Sequence, residues 1–125
     1  MTWQFNSFEP VFIQLSRKMR AEIILGVYGK GEQIPSVRQL AADASVNPNT
    51  VQRALLLLED EGLLCARGTA GRFITEDEAL ISRIREEMRA DAVRALLKDT
   101  RELGITKSEL LRYIDLIEKE ESDNE

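Results

Sequence analysis

The chain contains no histidine and only one cysteine, Cys65. Histidine is the commonest metal ligand and general base, so its absence removes many catalytic mechanisms. One cysteine can form neither an internal disulfide nor a cysteine-based zinc site. The longest aliphatic run, residues 54–58, is far too short to span a bilayer, and the first ten residues lack the pattern of a secretory signal. We expect a cytoplasmic protein that is not an enzyme and uses no metal, cofactor or membrane.

The charge is unevenly distributed along the 125 residues, which carry a net charge of −5. Residues 1–75 hold 8 basic and 7 acidic side chains, whereas residues 76–125 hold 9 basic and 15 acidic ones. The acidity therefore belongs to the C-terminal part, and the first part has room for a local basic face. The chain lacks the strongly basic balance of a non-specific nucleic-acid coat.

Apolar periodicity and capping residues predict five helices and one β-hairpin. The first three helices are predicted at residues 10–25, 36–43 and 48–61, with residues 27–33 as a loop. Strands at 63–66 and 72–75 form the hairpin, a fourth helix covers 76–103, and a fifth begins after a capping box at Thr106. A short helix, a tight connection and a longer capped helix indicate a helix-turn-helix.

The most specific signal lies at the start of the third helix. Asn47 is a favoured N-cap and Pro48 a favoured first helical residue. The next polar side chains, Asn49, Thr50, Gln52 and Arg53, suit the DNA major groove, because amides pair with adenine and guanidinium groups with guanine. The alternative interpretation is a capped helix end with a solvated face.

Other arginines extend this surface. Arg38, near the start of the second helix, suits a phosphate or a base edge, and Arg67 and Arg72 flank the hairpin tip, where arginines suit a narrow minor groove. Ordinary surface arginines are the alternative for all three. The acidic run at residues 59–61 is interpreted as a solvated helix end. Cys65 is interpreted as a small buried or edge residue.

The fourth helix is predicted to need a partner. About 28 residues at ~1.5 Å each give about 42 Å, which exceeds a diameter near 24 Å for the preceding 75 residues, estimated from the expected radius of gyration. The fifth helix covers only part of its apolar stripe, so a second copy of the chain is expected. A self-contained hairpin of two helices is the alternative. The candidate dimerisation residues are Ile81, Ile84, Met88, Ala92, Leu96, Leu103, Leu110, Ile114 and Ile117.

The motifs resemble those of a known family. The GntR family of bacterial transcription regulators has a winged helix-turn-helix that is similar to the stretch IPSVRQLAADASVNPNTVQRALLLLEDEGLLCARGTAGRFIT. This resemblance implies that Arg38 contacts DNA, that Asn47, Pro48, Asn49 and Thr50 open the recognition helix, and that Gly71 is the wing glycine. Many members carry arginine in place of Pro48 and Gln52, so a different operator preference is implied.

The length after the wing resembles the short YtrA-like branch of this family, whose two C-terminal helices serve dimerisation. The resemblance implies a mainly α fold, with a winged helix-turn-helix at residues 1–75 and a dimerisation region at residues 76–125. The expected function is a homodimeric repressor of a pseudo-palindromic double-stranded operator, plausibly controlling a transporter operon. The candidate DNA-binding residues are Ser36, Arg38, Asn47, Asn49, Thr50, Gln52, Arg53, Arg67, Gly71 and Arg72.

Two other functions stay open at this point. In one, a small-molecule effector of unknown identity gates DNA binding from a pocket between the C-terminal arm and an aromatic cluster of Trp3, Phe5 and Phe8. Packing of this cluster on the domain is the simpler interpretation. In the other, the chain is a protein-interaction adaptor that no longer binds DNA, which its acidic balance favours slightly.

Overall fold

The computed structural model describes residues 3–124. It is mainly helical, with one two-stranded antiparallel hairpin after the third helix. The helices are α1 (Val11–Ile24), α2 (Val37–Ala44), α3 (Pro48–Asp60), α4 (Glu78–Glu102) and α5 (Lys107–Asp123), and the strands are β1 (Leu64–Ala66) and β2 (Arg72–Ile74). The predicted fold, a winged helix-turn-helix followed by two helices, is confirmed.

The chain divides into two compact units, and the boundary between them in the sequence falls inside α4. Unit 1 ends at Arg85, and unit 2 begins at Glu86. A functional boundary at residues 75 and 76 stays a prediction, because the compact units report packing alone. Within residues 3–124, no helix has the length and apolar character needed to cross a membrane, and no group of three acidic or cysteine side chains is placed to hold a metal ion.

The core of unit 1 forms where α1 packs across α3. Leu15 and Met19 of α1 and Val51 and Leu58 of α3 are completely buried. Leu15 and Met19 are four residues apart and Val51 and Leu58 are seven apart, the spacings that place side chains on one face of an amphipathic helix. The residues of α3 that face inward are Val51, Ala54, Leu55 and Leu58, all of them buried.

The segment before α1 is held by one buried side chain. Gln14 accepts a hydrogen bond from the Asn6 backbone N–H (3.0 Å) and donates to the carbonyls of Asn6 (3.0 Å) and Glu9 (2.8 Å). The rings of Trp3 and Phe5 stack with centroids 6.3 Å apart. Phe8, however, is 90% exposed, so the interpretation of three packed aromatic residues is wrong for Phe8.

The helix α4 begins later than predicted because Asp77 serves as its cap. The Asp77 carboxylate accepts a hydrogen bond from the Leu80 N–H (3.1 Å), and the Thr75 hydroxyl accepts one from the Asp77 N–H (3.1 Å). These bonds satisfy donors that a helix start leaves unpaired. The helix therefore spans 25 residues, or about 38 Å.

In unit 2, α5 begins with the predicted capping box. The Thr106 hydroxyl accepts a hydrogen bond from the Glu109 N–H (3.2 Å), and the Glu109 carboxylate accepts one from the Thr106 N–H (3.0 Å). The backbone and hydroxyl donors of Thr106 hold the pKa of the Glu109 carboxyl below its usual value. No described residue of α5 is buried, and α5 does not pack along α4. The alternative of a self-contained helical hairpin is therefore wrong.

Ser45 ends α2 in a strained conformation that predicts a stabilising substitution. Its φ of 54° and ψ of 47° are left-handed, a conformation that costs most L-residues roughly 1–2 kcal/mol. We expect Ser45→Gly to raise the free energy of unfolding by about 1 kcal/mol, measured by urea denaturation. The matched change Ser82→Gly, inside α4, is expected to lower it by about 0.5 kcal/mol because glycine is a poor helix former. A Ser45→Gly protein less stable than the parent would contradict this assignment.

Candidate nucleic-acid interface

The turn between α2 and α3 is built by local hydrogen bonds. The Ser36 hydroxyl accepts a hydrogen bond from the Gln39 N–H (3.2 Å), so Ser36 is the N-cap of α2. Beyond α2, the Val46 N–H donates to the Ala41 carbonyl (3.0 Å). The Asn47 side chain then accepts a hydrogen bond from the Asn49 N–H (2.8 Å). Asn47 is therefore the N-cap of α3, as predicted.

The first turns of α3 separate core residues from exposed polar ones. Asn49, Gln52 and Arg53 are exposed and Thr50 is half-buried. The apolar residues of the same turns face the core. The side chain of Asn49 makes no hydrogen bond to any of residues 3–124. Its amide is therefore available to a base edge, which an Asn side chain contacts through a donor and an acceptor at once.

Arg38 is the second residue of α2 and is exposed. Within the described part of the chain its guanidinium group makes no hydrogen bond, ion pair or ring contact. An unpaired guanidinium keeps all five N–H donors available for a phosphate or a guanine. Its position on α2, the helix preceding α3 in the helix-turn-helix, suits a contact with DNA.

Two further arginines lie against aromatic rings. The guanidinium carbon of Arg53 is 3.8 Å from the centre of the Phe12 ring, and that of Arg67 is 4.4 Å from the centre of the Phe73 ring. A ring beneath a guanidinium group restricts its motion but leaves the N–H groups at its edge free to donate. These contacts hold two of the predicted arginines in place while both stay exposed.

The wing is held by backbone bonds on both sides of β2. β1 pairs with β2 in antiparallel register. On the other side, the Ile34 N–H donates to the Arg72 carbonyl (3.0 Å), and the Ile74 N–H donates to the Glu32 carbonyl (2.9 Å). Residues 31–33, predicted as part of a loop, and the following Ile34 therefore act as a third, irregular edge of the wing.

Gly71 is required at the base of the wing tip. Its φ of 110° lies outside the range of L-residues, and a Cβ there would lie 2.8 Å from the Gln33 amide nitrogen. That nitrogen donates a hydrogen bond of 2.5 Å to the Ala70 carbonyl. Gln33, which sequence analysis did not select, thus fixes the tip. Gly71 shapes the wing and brings no side chain to it.

Arg72 points to α3 and has protein partners. Its Nε donates to the Glu59 carboxylate, and its Nη1 donates to the Gln52 side-chain carbonyl (3.3 Å). The side chain of Arg72 is only 15% exposed and that of Glu59 only 23%. Arg72, which was predicted to bind DNA, therefore links the wing to the recognition helix. Its hydrogen bond to Gln52 is exposed to solvent, whereas its pair with Glu59 is partly buried.

The acidic run at residues 59–61 is not simply a solvated helix end, and that interpretation is wrong. Glu59 pairs with Arg72, and Glu61 pairs with Arg20 of α1. The Arg20 Nε donates a hydrogen bond of 2.8 Å to the Glu61 carboxylate. Asp60 alone is exposed. The two glutamates thus pair with arginines whose side chains are largely shielded from water.

The arginines among the first 75 residues divide by their partners. Three of them, on the helix-turn-helix and the wing, carry no carboxylate partner within residues 3–124. They are Arg38, Arg53 and Arg67. The other three, Arg17, Arg20 and Arg72, are paired with glutamates. The near-neutral first part therefore contains a locally basic face, as its composition allowed.

The candidate dimerisation residues differ in how far the chain itself covers them. Ile84 is buried and Ile81, Met88, Leu110 and Ile114 are half-buried, whereas Ala92, Leu96, Leu103 and Ile117 are exposed. Sequence analysis missed several exposed apolar side chains in the same two helices. These are Val93, Leu111, Tyr113 and Leu116. Cys65 is exposed on β1, in agreement with an edge residue.

Comparison with known proteins decides the family. The family described as "Bacterial regulatory proteins, gntR family" matches residues 14–74, which include α2, α3 and the wing. The HTH-type transcriptional regulator YhcF of Bacillus subtilis (strain 168) is 31% identical over 111 residues, which are 89% of this chain and 92% of YhcF. The chain belongs to the gntR family. It is a transcriptional regulator with a winged helix-turn-helix DNA-binding domain.

Other relatives of this gntR-family protein agree over most of its length. The HTH-type transcriptional repressor YtrA of Bacillus subtilis is 29% identical over 87% of this chain and 85% of YtrA. The solved structure of a GntR family transcriptional regulator from Listeria monocytogenes has a TM-score of 0.84 and 28% identity, over 89% of this chain and 97% of that one. The predicted resemblance to the YtrA-like branch is confirmed.

A further solved structure supports the fold alone. The AraR DNA-binding domain in complex with operator ORX1 has a TM-score of 0.52 and 22% identity, over 60% of this chain and 92% of that one. The relatives are named as transcriptional regulators, which agrees with the expectation of a non-enzymatic role.

Proposed function

We propose that this gntR-family regulator is a homodimeric repressor that acts in the cytoplasm on a pseudo-palindromic operator. The observations that support DNA reading most strongly are the exposed start of α3 and an exposed Arg38 that has no partner within the described residues. Amide, hydroxyl and guanidinium groups lie together there, on a helix whose opposite side is fixed in the core. Such a helix presents a rigid set of hydrogen-bonding groups to the major groove.

The three classes of contact have separate candidates. Asn49, Thr50 and Arg53 are proposed to read base edges from α3. Arg38 is proposed to bind a phosphate or a guanine from α2, and Arg67 is proposed to enter the minor groove from the wing. Arg72 is proposed to position Gln52 and the wing, because its own donors are engaged within the protein.

Dimerisation is proposed to occur through α4 and α5 of unit 2. Leu116 and Ile117 of α5 are each 50% exposed, Leu111 is 53% exposed, and Leu103, the residue after α4, is 78% exposed. Since α5 buries none of its described residues and does not pack on α4, the chain alone leaves this apolar surface uncovered. A second copy supplies a self-complementary surface with a two-fold axis.

This proposal predicts that Ile117→Glu weakens dimerisation. A carboxylate in an apolar interface loses hydration without gaining a partner, so we expect the dimer dissociation constant to rise by about tenfold or more. Sedimentation equilibrium measures it. Leu25→Glu is the matched control, because Leu25 is a 79% exposed apolar residue of unit 1. Equal effects of the two substitutions, or no effect of the first, would contradict this interface.

Repression is proposed because one relative, YtrA of Bacillus subtilis, is named a transcriptional repressor. A dimer bound across a promoter represses by blocking access to it. Control of a transporter operon stays a prediction, as does gating by a small-molecule effector. A pocket between the aromatic N-terminal segment and the arm, the site first expected for an effector, likewise stays a prediction.

Selection of bound duplexes from a random library at physiological salt tests the proposed function. A homodimer that reads DNA is expected to enrich an inverted repeat with half-sites about 34 Å apart or a multiple of this. An enriched single half-site would contradict dimeric reading. Recovery of no preferred sequence would contradict the repressor and favour the adaptor, in which the winged helix binds protein.

A further inference from the structure

A cleft of about 440 Å³ lies in unit 1 beside the end of α1, the loop after it and the first turns of α4. Its volume is within the range of about 300–1,000 Å³ that is typical of small-molecule sites. None of its lining residues belongs to the proposed DNA interface. Binding in the cleft can therefore be measured independently of DNA binding.

The cleft has an apolar wall. Ile23, which is 2% exposed, and Ile81 line it together with the partly buried ring of Tyr28. Gly26 and Gly29 also line the cleft, and a Cβ added to either would meet no atom within 4 Å. The backbone there leaves open space where a side chain would stand, so an alkyl chain can lie against the isoleucines.

The polar groups of the cleft are mainly donors. The Arg85 guanidinium donates from Nε (3.3 Å) and Nη2 (3.1 Å) to the Ile24 carbonyl, which fixes the group at the end of α1. A guanidinium has five N–H donors, so others remain for a ligand. The Lys30 ammonium pairs with Glu78 at 2.5 Å and is 51% exposed. Ser82 adds a hydroxyl.

The charges of the lining favour an anion. Two cations, Lys30 and Arg85, face one carboxylate, Glu78, so one positive charge is left over. Other carboxylates lie around the lining. The pKa of the Tyr28 phenol is raised first by burial, then by the charge of Glu22 and a hydrogen bond with it, and then by the charges of Glu32 and Asp43. The Glu32 carboxylate also accepts a hydrogen bond from the Gly29 N–H (3.1 Å). None of the three lines the cleft.

We propose that this cleft binds a small aliphatic monocarboxylate. Its alkyl chain lies against Ile23 and Ile81, and its carboxylate accepts hydrogen bonds from Arg85 and Lys30. The carboxylate headgroup matches the excess of donors, while the apolar wall excludes a compact inorganic anion as the best ligand.

Titration of the full-length chain with sodium octanoate, followed by amide NMR shifts, tests this site. We expect saturable changes in the amide chemical shifts, centred on Gly26, Gly29 and Ser82. Octylammonium, which has the same alkyl chain and the opposite charge, is expected not to produce these changes. Equal binding of the two probes, or shifts spread over the apolar surface of unit 2, would overturn the proposal.

Variants locate the site and separate its two parts. Ser82→Phe fills the cleft and is expected to abolish the shifts, whereas Ala79→Phe, at an exposed α4 position outside the lining, leaves them unchanged. Lys30→Met is expected to weaken octanoate binding about fivefold, the upper end for a solvent-exposed ion pair. Undiminished binding by Ser82→Phe would show that octanoate binds elsewhere and would overturn the proposal.

Discussion

Replacement of Arg38 by alanine is expected to weaken operator binding by about 1–3 kcal/mol at each half-site, and hence by about 2–6 kcal/mol for a dimer. The guanidinium group is exposed and has no partner within the described chain, so its N–H groups are proposed to be satisfied only when DNA is bound. For the same reason its removal leaves no group of the protein unpaired. The free energy of unfolding should change by less than about 0.5 kcal/mol.

Fluorescence anisotropy with the selected operator measures this loss, and urea denaturation measures the stability. Lys98→Ala is the control, because it removes an exposed positive charge from the part of α4 that belongs to unit 2, whereas the helix-turn-helix belongs to unit 1. It should alter operator affinity only slightly, through the long-range field. Equal losses for the two variants would show that Arg38 acts through net charge alone, and an unchanged affinity for Arg38→Ala would refute its assignment.

Replacement of Arg72 by alanine is expected to act mainly on stability, with a loss of about 1–3 kcal/mol. The pair of Arg72 and Glu59 is mostly shielded from water, so the substitution leaves a half-buried carboxylate without its cation. It also removes a bond to Gln52, at 3.3 Å. The wing then loses its side-chain link to α3, although its backbone bonds remain.

A double-mutant cycle with Glu59→Ala separates this link from other effects of the substitution. The two changes together should cost less than the sum of the single changes, by about 1 kcal/mol. Arg67→Ala is the matched control, because the Arg67 side chain flanks the same tip and lies on the Phe73 ring without a carboxylate partner among residues 3–124. Its removal should cost less than about 1 kcal/mol. Additive energies would contradict the coupling of Arg72 and Glu59.

Local features of the site were predictable because their causes lie within a few residues. The Asn47 cap, the Ser36 cap and the Thr106 box each join groups two or three positions apart. The inward face of α3 follows from helical periodicity in the same way. Such patterns place the recognition helix and its exposed side before any tertiary contact is known.

The partners of the arginines were not predictable, because they come from distant parts of the chain. Arg53 lies on Phe12 of α1, and Arg72 pairs with Glu59 across the turn that follows α3. Nothing in the spacing of these residues distinguishes Arg72, which is held by protein, from Arg38, which is not. The irregular edge formed by residues 31–34 escaped prediction for a similar reason, since its partner is β2.

The extent of α4 and the packing of α5 show a second limit of sequence patterns. The sequence does not distinguish a carboxylate that caps a helix from one that lies in its first turn. Asp77 was therefore predicted to lie inside the helix that it caps. The apolar stripe of α5 indicates that another apolar surface packs against it. The stripe itself does not distinguish α4 from a second chain, and the exposed face of α5 was needed to favour the second chain.

The central claim, that two symmetry-related copies of α3 read base edges, is tested most directly by repeating the duplex selection with Asn49→Ala beside the parent protein. The side chain of Asn49 has no partner within residues 3–124, so its loss should affect reading alone. We expect an inverted repeat for both proteins, with the base preference lost at one position in each half-site of the variant. Identical preferences for the two proteins, or a loss in only one half-site, would contradict it.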